Sequence, residues 1–211
     1  MVRQQRAERT RTALLRAAAE EMDELGYCGA SLNRTCALAG VTMGALTFHF
    51  PTKDRLADAV IAAGTSSVDA AVRRIPELAL SPLGKVRLML LTVGGLLHHD
   101  CVVRAAARLS RELSPSGDWT NAWLPLTEEL IAQAQSQGQL RRSLRSADVS
   151  RLFAYLCSGI EAQARERAAH PGTGRADDAV HQLVRLWDAV LHGLITAGPD
   201  ANCSPPHSER P

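Results

Sequence analysis

Residues 31–50, Ser31-Leu-Asn-Arg-Thr-Cys-Ala-Leu-Ala-Gly40-Val-Thr-Met-Gly-Ala-Leu-Thr-Phe-His-Phe50, read as two short helices pinched together at Ala39-Gly40-Val41. The second helix is too small-surfaced to be a core element, and the pair has the outline of a helix-turn-helix, whose second helix enters the DNA major groove. Gly40 supplies the positive φ that the turn requires. Cys36 falls where a small residue must face the partner helix, and it reads as a small buried hydrophobe. Val41 and Leu46 would seal the two helices together, leaving Thr42, Met43, Gly44, Ala45 and Thr47 displayed. Small residues let a backbone approach base edges, and Thr or Ala methyls can meet a thymine methyl. Arg34, Lys53, Thr47 and His49 are placed for phosphates, and Ser31, a candidate N-cap, joins them on that side.

Working towards the N-terminus, Leu14, Ala17, Ala18, Met22 and Leu25 fall on one helical face, and Gly26 stops that helix. Ahead of it, residues 1–16 carry Arg3, Arg6, Arg9, Arg11 and Arg16 against Glu8 alone, a basic arm suited to phosphate contact, with Arg11 counted among the DNA-binding candidates. A solvated tail is the competing reading of the arm. Working towards the C-terminus, Pro51-Thr52 breaks the chain and a long helix runs from about Lys53 to about Leu78. Ser81-Pro82 opens a helix to about His98, since a cap followed by proline in the first turn is a start signal. Further helices are expected over about Cys101–Leu113, 120–137, Ser146–Ala168 and Ala176–Ala197.

The expected fold is therefore all-α, with about nine helices. A three-helix unit over 1–52 carries the helix-turn-helix, a larger bundle covers 53–197, and a proline-containing tail over 198–211 is expected to be disordered. A chain 45% hydrophobic but only 4% aromatic must build its core from Ala, Leu and Val, which favours helix. The five cysteines are scattered, without a C-x-x-C pair, so neither a disulfide framework nor a zinc site is read. The charged N-terminus lacks an apolar signal region, and the stretch Leu88–Leu97 is far short of a membrane span, so a cytoplasmic protein without membrane contact is expected. No G-x-S-x-G, H-E-x-x-H or phosphate-cradling glycine loop is present, so no enzyme, cofactor or metal is expected. His98-His99-Asp100-Cys101, at a helix end, reads as solvated groups and dipole partners.

Gly40-Val-Thr-Met-Gly-Ala-Leu-Thr-Phe-His-Phe-Pro-Thr-Lys-Asp-Arg-Leu56 is similar to the signature of TetR-family transcriptional regulators, with the resemblance covering about residues 8–61. Phe48-His49-Phe50-Pro51 resembles the branch typified by γ-butyrolactone receptors. The family commonly has lysine where this chain has Met43 and tyrosine where it has Thr47. Both of those residues hold phosphates, so the resemblance implies weaker or unusually salt-sensitive DNA binding here, or contacts moved to Arg34 and the arginine arm.

The resemblance also implies a homodimer paired through the last two helices, a palindromic double-stranded DNA operator, and a small-molecule inducer held by the middle helices. Ser158, Gly159 and Ala162 offer a small-residue seam. Leu183, Leu186, Trp187, Val190, Leu191 and Leu194 form an apolar stripe that is equally a core stripe. For the pocket, Trp123 is the first candidate because Trp123-Leu-Pro-Leu-Thr127 resembles the receptor branch, and an indole gives a broad wall with one donor. Trp119 is the alternative. Thr127 is the polar anchor to test, with Met89, Thr92, Leu130, Phe153 and Cys157 as further wall candidates. The expected function is a ligand-responsive repressor released by a diffusible γ-butyrolactone-like signal. Alternatives are a repressor of efflux or antibiotic genes sensing a hydrophobic compound, and a helical dimer that does not bind DNA.

Overall fold

The computed structural model describes residues 2–113, 118–169 and 178–194. They form α1 (Val2–Gly29), α2 (Leu32–Ala39), α3 (Met43–His49), α4 (Lys53–Val72), α5 (Pro82–His99), α6 (Cys101–Leu113), α7 (Leu124–Ser136), α8 (Ser146–Ala169) and α9 (Asp178–Leu194), with short 3-10 segments at Ile75–Glu77 and Asp118–Ala122. The all-α architecture is the expected one. The expected tail over 198–211 lies outside the described residues.

Two helix ends differ from expectation, and proline explains both. The helix opening at Lys53 stops at Val72 instead of Leu78, because the ring of Pro76 would collide with the carbonyl four residues back and restrains Ile75 as well. The helix expected over 120–137 begins at Leu124, with Asp118–Ala122 as a separate 3-10 turn. Pro125 is tolerated in the first turn, where its missing N–H is not needed, but not four residues further in.

The helix-turn-helix forms as its residues dictate. Gly40 takes the left-handed conformation (φ 65°, ψ 35°), and the Gly40 and Val41 amides donate to the Ala37 and Cys36 carbonyls. The Thr42 hydroxyl accepts from the Ala45 amide at 3.3 Å, capping α3. Ser31 stands at the N-cap position of α2 but its side chain caps nothing. Its amide instead donates to the Glu21 carboxylate at 3.3 Å, and the Thr35 hydroxyl donates to its carbonyl. The path of α1 breaks at Gly26, where φ is 72°. A Cβ there would sit 2.6 Å from Glu112 Oε1, so besides straining the backbone a side chain would push the Arg108 and Glu112 side chains aside. Leu25 is 38% exposed, off the buried stripe where it was expected, because α6 meets this end of α1 with the polar Arg108 and Glu112.

Two apolar cores result. One joins Leu14, Ala18, Met22, Cys36, Leu46, Phe50, Leu56 and Val60 to Ala105 and Leu109 of α6. The other joins Val68 and Val72 of α4 to Met89, Leu90 and Val93 of α5, Val103 and Ala107 of α6, and the tryptophans. Helices α4 and α6 therefore belong to both. They approach closely at Gly64, where a Cβ would lie 2.4 Å from Ala106 Cβ and 2.8 Å from the Val102 carbonyl. Gly64 is thus a point of tight packing. Among the described residues no single helix is long and apolar enough to cross a membrane.

Candidate nucleic-acid interface and sensor core

The recognition face follows from the 100° step of α3. Met43, Gly44, Thr47 and Phe48 share one side, and Leu46, opposite, is fully buried. Thr42, Met43, Gly44, Thr47 and Phe48 are exposed and Ala45 is half-buried. A Cβ on Gly44 would meet nothing nearer than the Thr42 hydroxyl at 3.9 Å, so this part of the backbone is open to an approaching surface. Thr47 behaves differently from expectation, because its hydroxyl donates to the Met43 and Gly44 carbonyls at 3.1 and 3.2 Å. That proton must leave its own helix before it can reach a phosphate. Phe48, 80% exposed, was absent from the expected contacts. Its place four residues after Gly44 was the available signal.

The cations around this face are held by specific partners. The Arg11 guanidinium lies 5.3 Å over the Phe50 ring, and the Lys53 ammonium 4.7 Å over the Tyr27 ring. His49 is half-buried and packs edge-on against Phe48, at 5.2 Å between ring centres. Arg34 pairs with the buried Glu21 at 2.6 Å and with Glu24 at 3.5 Å, so its first task is to tie α2 to α1. Ser31 is exposed, with its amide already engaged.

Behind the head, α6 clamps the last turns of α1. Arg104 pairs with Asp23 at 2.8 Å and donates to the Leu97 and His98 carbonyls at the end of α5. Arg108 donates to the Asp23 and Glu24 carbonyls, and Glu112 accepts from Arg108 Nε and the Tyr27 amide. Burial raises the Asp23 carboxyl above its ordinary value, with Arg104 opposing. For Glu112 burial also pushes upward, but the bonds from Arg108 and Tyr27 win and the carboxyl titrates below its ordinary value. Asp100, in the His98–Cys101 cluster, caps α6 by accepting from the Val102 amide.

The expected ligand residues come together, with one exception. Met89, Trp123, Leu130, Phe153 and Cys157 pack in one buried cluster, and Thr92 is only half-buried. The Trp123 ring is 5.3 Å from Phe153 and 5.4 Å from Trp119. Thr127 is fully buried but its hydroxyl donates to the Trp123 carbonyl at 2.8 Å, so as an anchor it offers only lone pairs. Cys157 is pushed up by burial and stays a thiol. The Trp123 and Trp187 indole N–H groups are buried with no acceptor. These side chains fill a packed layer; a cleft of about 710 Å³ opens elsewhere, lined by Asp58, Ile61, Ala62, Thr65, Ser66, Asp69, Asn121 and Ala122.

On the expected dimer face, Leu183 and Trp187 are buried inside the bundle, packed towards α5, where Gly94 admits Leu183. Ser158, Gly159 and Ala162 are exposed, together with Tyr155 and Leu186. Val190 is half-buried, and the Leu191 and Leu194 side chains lie outside the described ones.

Residues 14–60 match the family model described as bacterial regulatory proteins, tetR family. The chain is 28% identical to the A-factor receptor protein of Streptomyces griseus, over 97% of this chain and 71% of that protein. Its fold is shared by a γ-butyrolactone receptor (ArpA-like protein) at 24% identity, 90% of each chain and a TM-score of 0.72. The same holds for CprB of Streptomyces coelicolor, solved with its biological operator sequence, at 24% identity, 89% and 90% coverage and a TM-score of 0.69. Residues 14–60 thus carry the N-terminal domain of the tetR family of bacterial regulatory proteins.

Proposed function

We propose that the chain is a ligand-responsive repressor that binds a palindromic operator as a homodimer in the cytoplasm and is released by a small diffusible signal of the γ-butyrolactone type. A reading head over 1–52 contacts double-stranded DNA, and a sensor over 53–197 pairs two copies and holds the signal. Arg11, Ser31, Arg34, Thr42, Met43, Gly44, Ala45, Thr47, His49 and Lys53 are the proposed DNA-facing set, to which the exposure of Phe48 adds that residue. Two heads about 34 Å apart, or a multiple of it, would meet successive major grooves. The seam of Ser158, Gly159 and Ala162 with Tyr155 and Leu186 is the proposed dimer surface.

The observation that carries the ligand reading is the Trp123 indole, buried beside Phe153 and Trp119 with its N–H unmatched. A lone buried donor costs about 1–3 kcal/mol, and a lactone carbonyl entering the layer would answer it. Likeness to the A-factor receptor across nearly the whole chain supports that ligand class. A signal that fits only an opened layer shifts the heads by its differential affinity, typically by ~1–3 kcal/mol, or roughly 5–150-fold in operator affinity.

The test is a gel-shift titration on DNA selected from a random pool, with a synthetic γ-butyrolactone added. Wild type should be released. Trp123→Phe, which keeps an aromatic ring and removes the donor, should bind operator normally and resist release. Equal release of both proteins rejects the assignment of Trp123.

A further inference from the structure

The outward side of α4 carries a second, differently built recess. Asp58, Ile61, Ala62, Thr65, Ser66 and Asp69 recur at the three- and four-residue intervals that align side chains along one helical face. Asn121 and Ala122 face them across the cleft of about 710 Å³, a volume usual for small-molecule sites. It touches the packed Trp123 layer only through Ala122, which lines the cleft and also packs against that cluster.

Its chemistry is lopsided. Two carboxylates line it and no cation does. Among the described residues neither Asp58 nor Asp69 is in an ion pair, while the neighbouring Asp54 is taken by Tyr27. The eleven-residue separation sets the two acids about 16 Å apart along the helix axis. Between them lie the apolar Ile61 and Ala62 and, near the midpoint, the Thr65 hydroxyl, buried without a hydrogen-bond partner. An occupant that satisfies all of these is long, aliphatic, cationic at both ends, and carries a further donor near its middle.

We propose that this cleft binds a linear polyamine, its terminal ammonium groups at Asp58 and Asp69 and an internal amine donating to the Thr65 hydroxyl. A compact monocation could meet one acid only, and a neutral lipid would leave both unanswered. Because Asp58 and Asp69 are exposed, the attraction is salt-screened and affinity falls as ionic strength rises.

The test is calorimetric titration of the purified full-length protein with spermine, without DNA, with tryptophan emission as a second readout. One saturable site per protomer is expected. Asp58→Asn and Asp69→Asn, both at exposed positions, should each weaken it about fivefold. Decamethylenediamine, which has both end charges but no internal amine, should bind wild type and Thr65→Val alike, whereas spermine should bind Thr65→Val more weakly than wild type. Absence of saturable binding overturns the proposal, and so does equal affinity in the Asp58→Asn/Asp69→Asn double variant. Binding of decanediol as tight as that of the diamine would mark a merely apolar groove and overturn it too. No operator or lactone is involved, so failure here leaves the Trp123 reading untouched.

Discussion

The Arg104 guanidinium lies 2.8 Å from the Asp23 carboxylate, and the two side chains are only 11% and 7% exposed. With its bonds to the Leu97 and His98 carbonyls, Arg104 gathers the ends of α1 and α5 onto α6. The DNA-reading unit is thus anchored to the bundle through a buried charge as well as through apolar packing.

Removing one partner strands the other. Arg104→Met should lower stability by about 3–5 kcal/mol, since an uncompensated buried carboxylate remains. Asp23→Leu with Arg104→Met should recover much of that loss. Urea denaturation measures both, and a wild-type midpoint for Arg104→Met would show that the pair contributes nothing.

Phe48 separates binding from folding. Being 80% exposed, its replacement by alanine should change stability by no more than about 0.5 kcal/mol. Operator affinity should nevertheless fall, as read by fluorescence anisotropy. An unaltered affinity would remove Phe48 from the interface.

Met43 and Thr47 stand where the resembling family commonly has Lys and Tyr. Met43→Lys should tighten operator binding and steepen the dependence of log K on log salt by about 0.9, the contribution of one more neutralised phosphate, so the wild type carries the shallower dependence and not the unusual salt sensitivity expected above. Thr47→Tyr should tighten binding as well, because the phenol reaches outward where the threonine proton is turned back onto Met43 and Gly44. A salt titration in which the Met43→Lys slope matches wild type would place that residue away from phosphates.

Acid should act on the clamp through Glu112. Its folded-state carboxyl titrates below its ordinary value, so its contribution is present above the unfolded value and is lost as pH falls through the lower folded one. Asp23 has the opposite sign: its raised value makes its contribution fullest below the unfolded value and weaker as pH rises through the folded one. Protection of the Tyr27 amide from hydrogen exchange should therefore persist through the ordinary carboxylate range and collapse only below it. Glu112→Gln should abolish that collapse. The same collapse in the glutamine variant would point to another group.

The closeness of α4 and α6 can be probed at Gly64. Gly64→Ala brings a methyl within 2.4 Å of Ala106 Cβ, and the overpacking should cost about 1–3 kcal/mol. Ala106→Gly in the same chain should relieve part of it. A thermal melt of the single variant at the wild-type temperature would contradict the tight approach.

The head was legible because local rules decide it: Gly40 for the turn, Thr42 for the cap, and Leu46 and Cys36 for the seal. The expected ligand residues were found together because Met89, Leu130, Phe153 and Cys157 recur on inward helical faces and Trp123 stands immediately ahead of α7. Sequence reasoning failed where a distant partner decides the outcome. Arg34 looked like a phosphate contact until Glu21 arrived from α1. Leu183 and Trp187 are as apolar as any dimer stripe, and only the docking of α9 on α5 turns them inward. The cleft at Asp58 and Asp69 needed both α4 and the 118–122 turn, which share no sequence signal.

Alternate positions of α6 look in opposite directions: Ala105 and Leu109 floor the reading head, while Val103 and Ala107 belong to the bundle. A chimaera joined at residue 52 would set a foreign head on a floor shaped for another. Grafting operator specificity between relatives therefore means transplanting the matching face of α6 with the head, or changing only the solvent-side residues of α3.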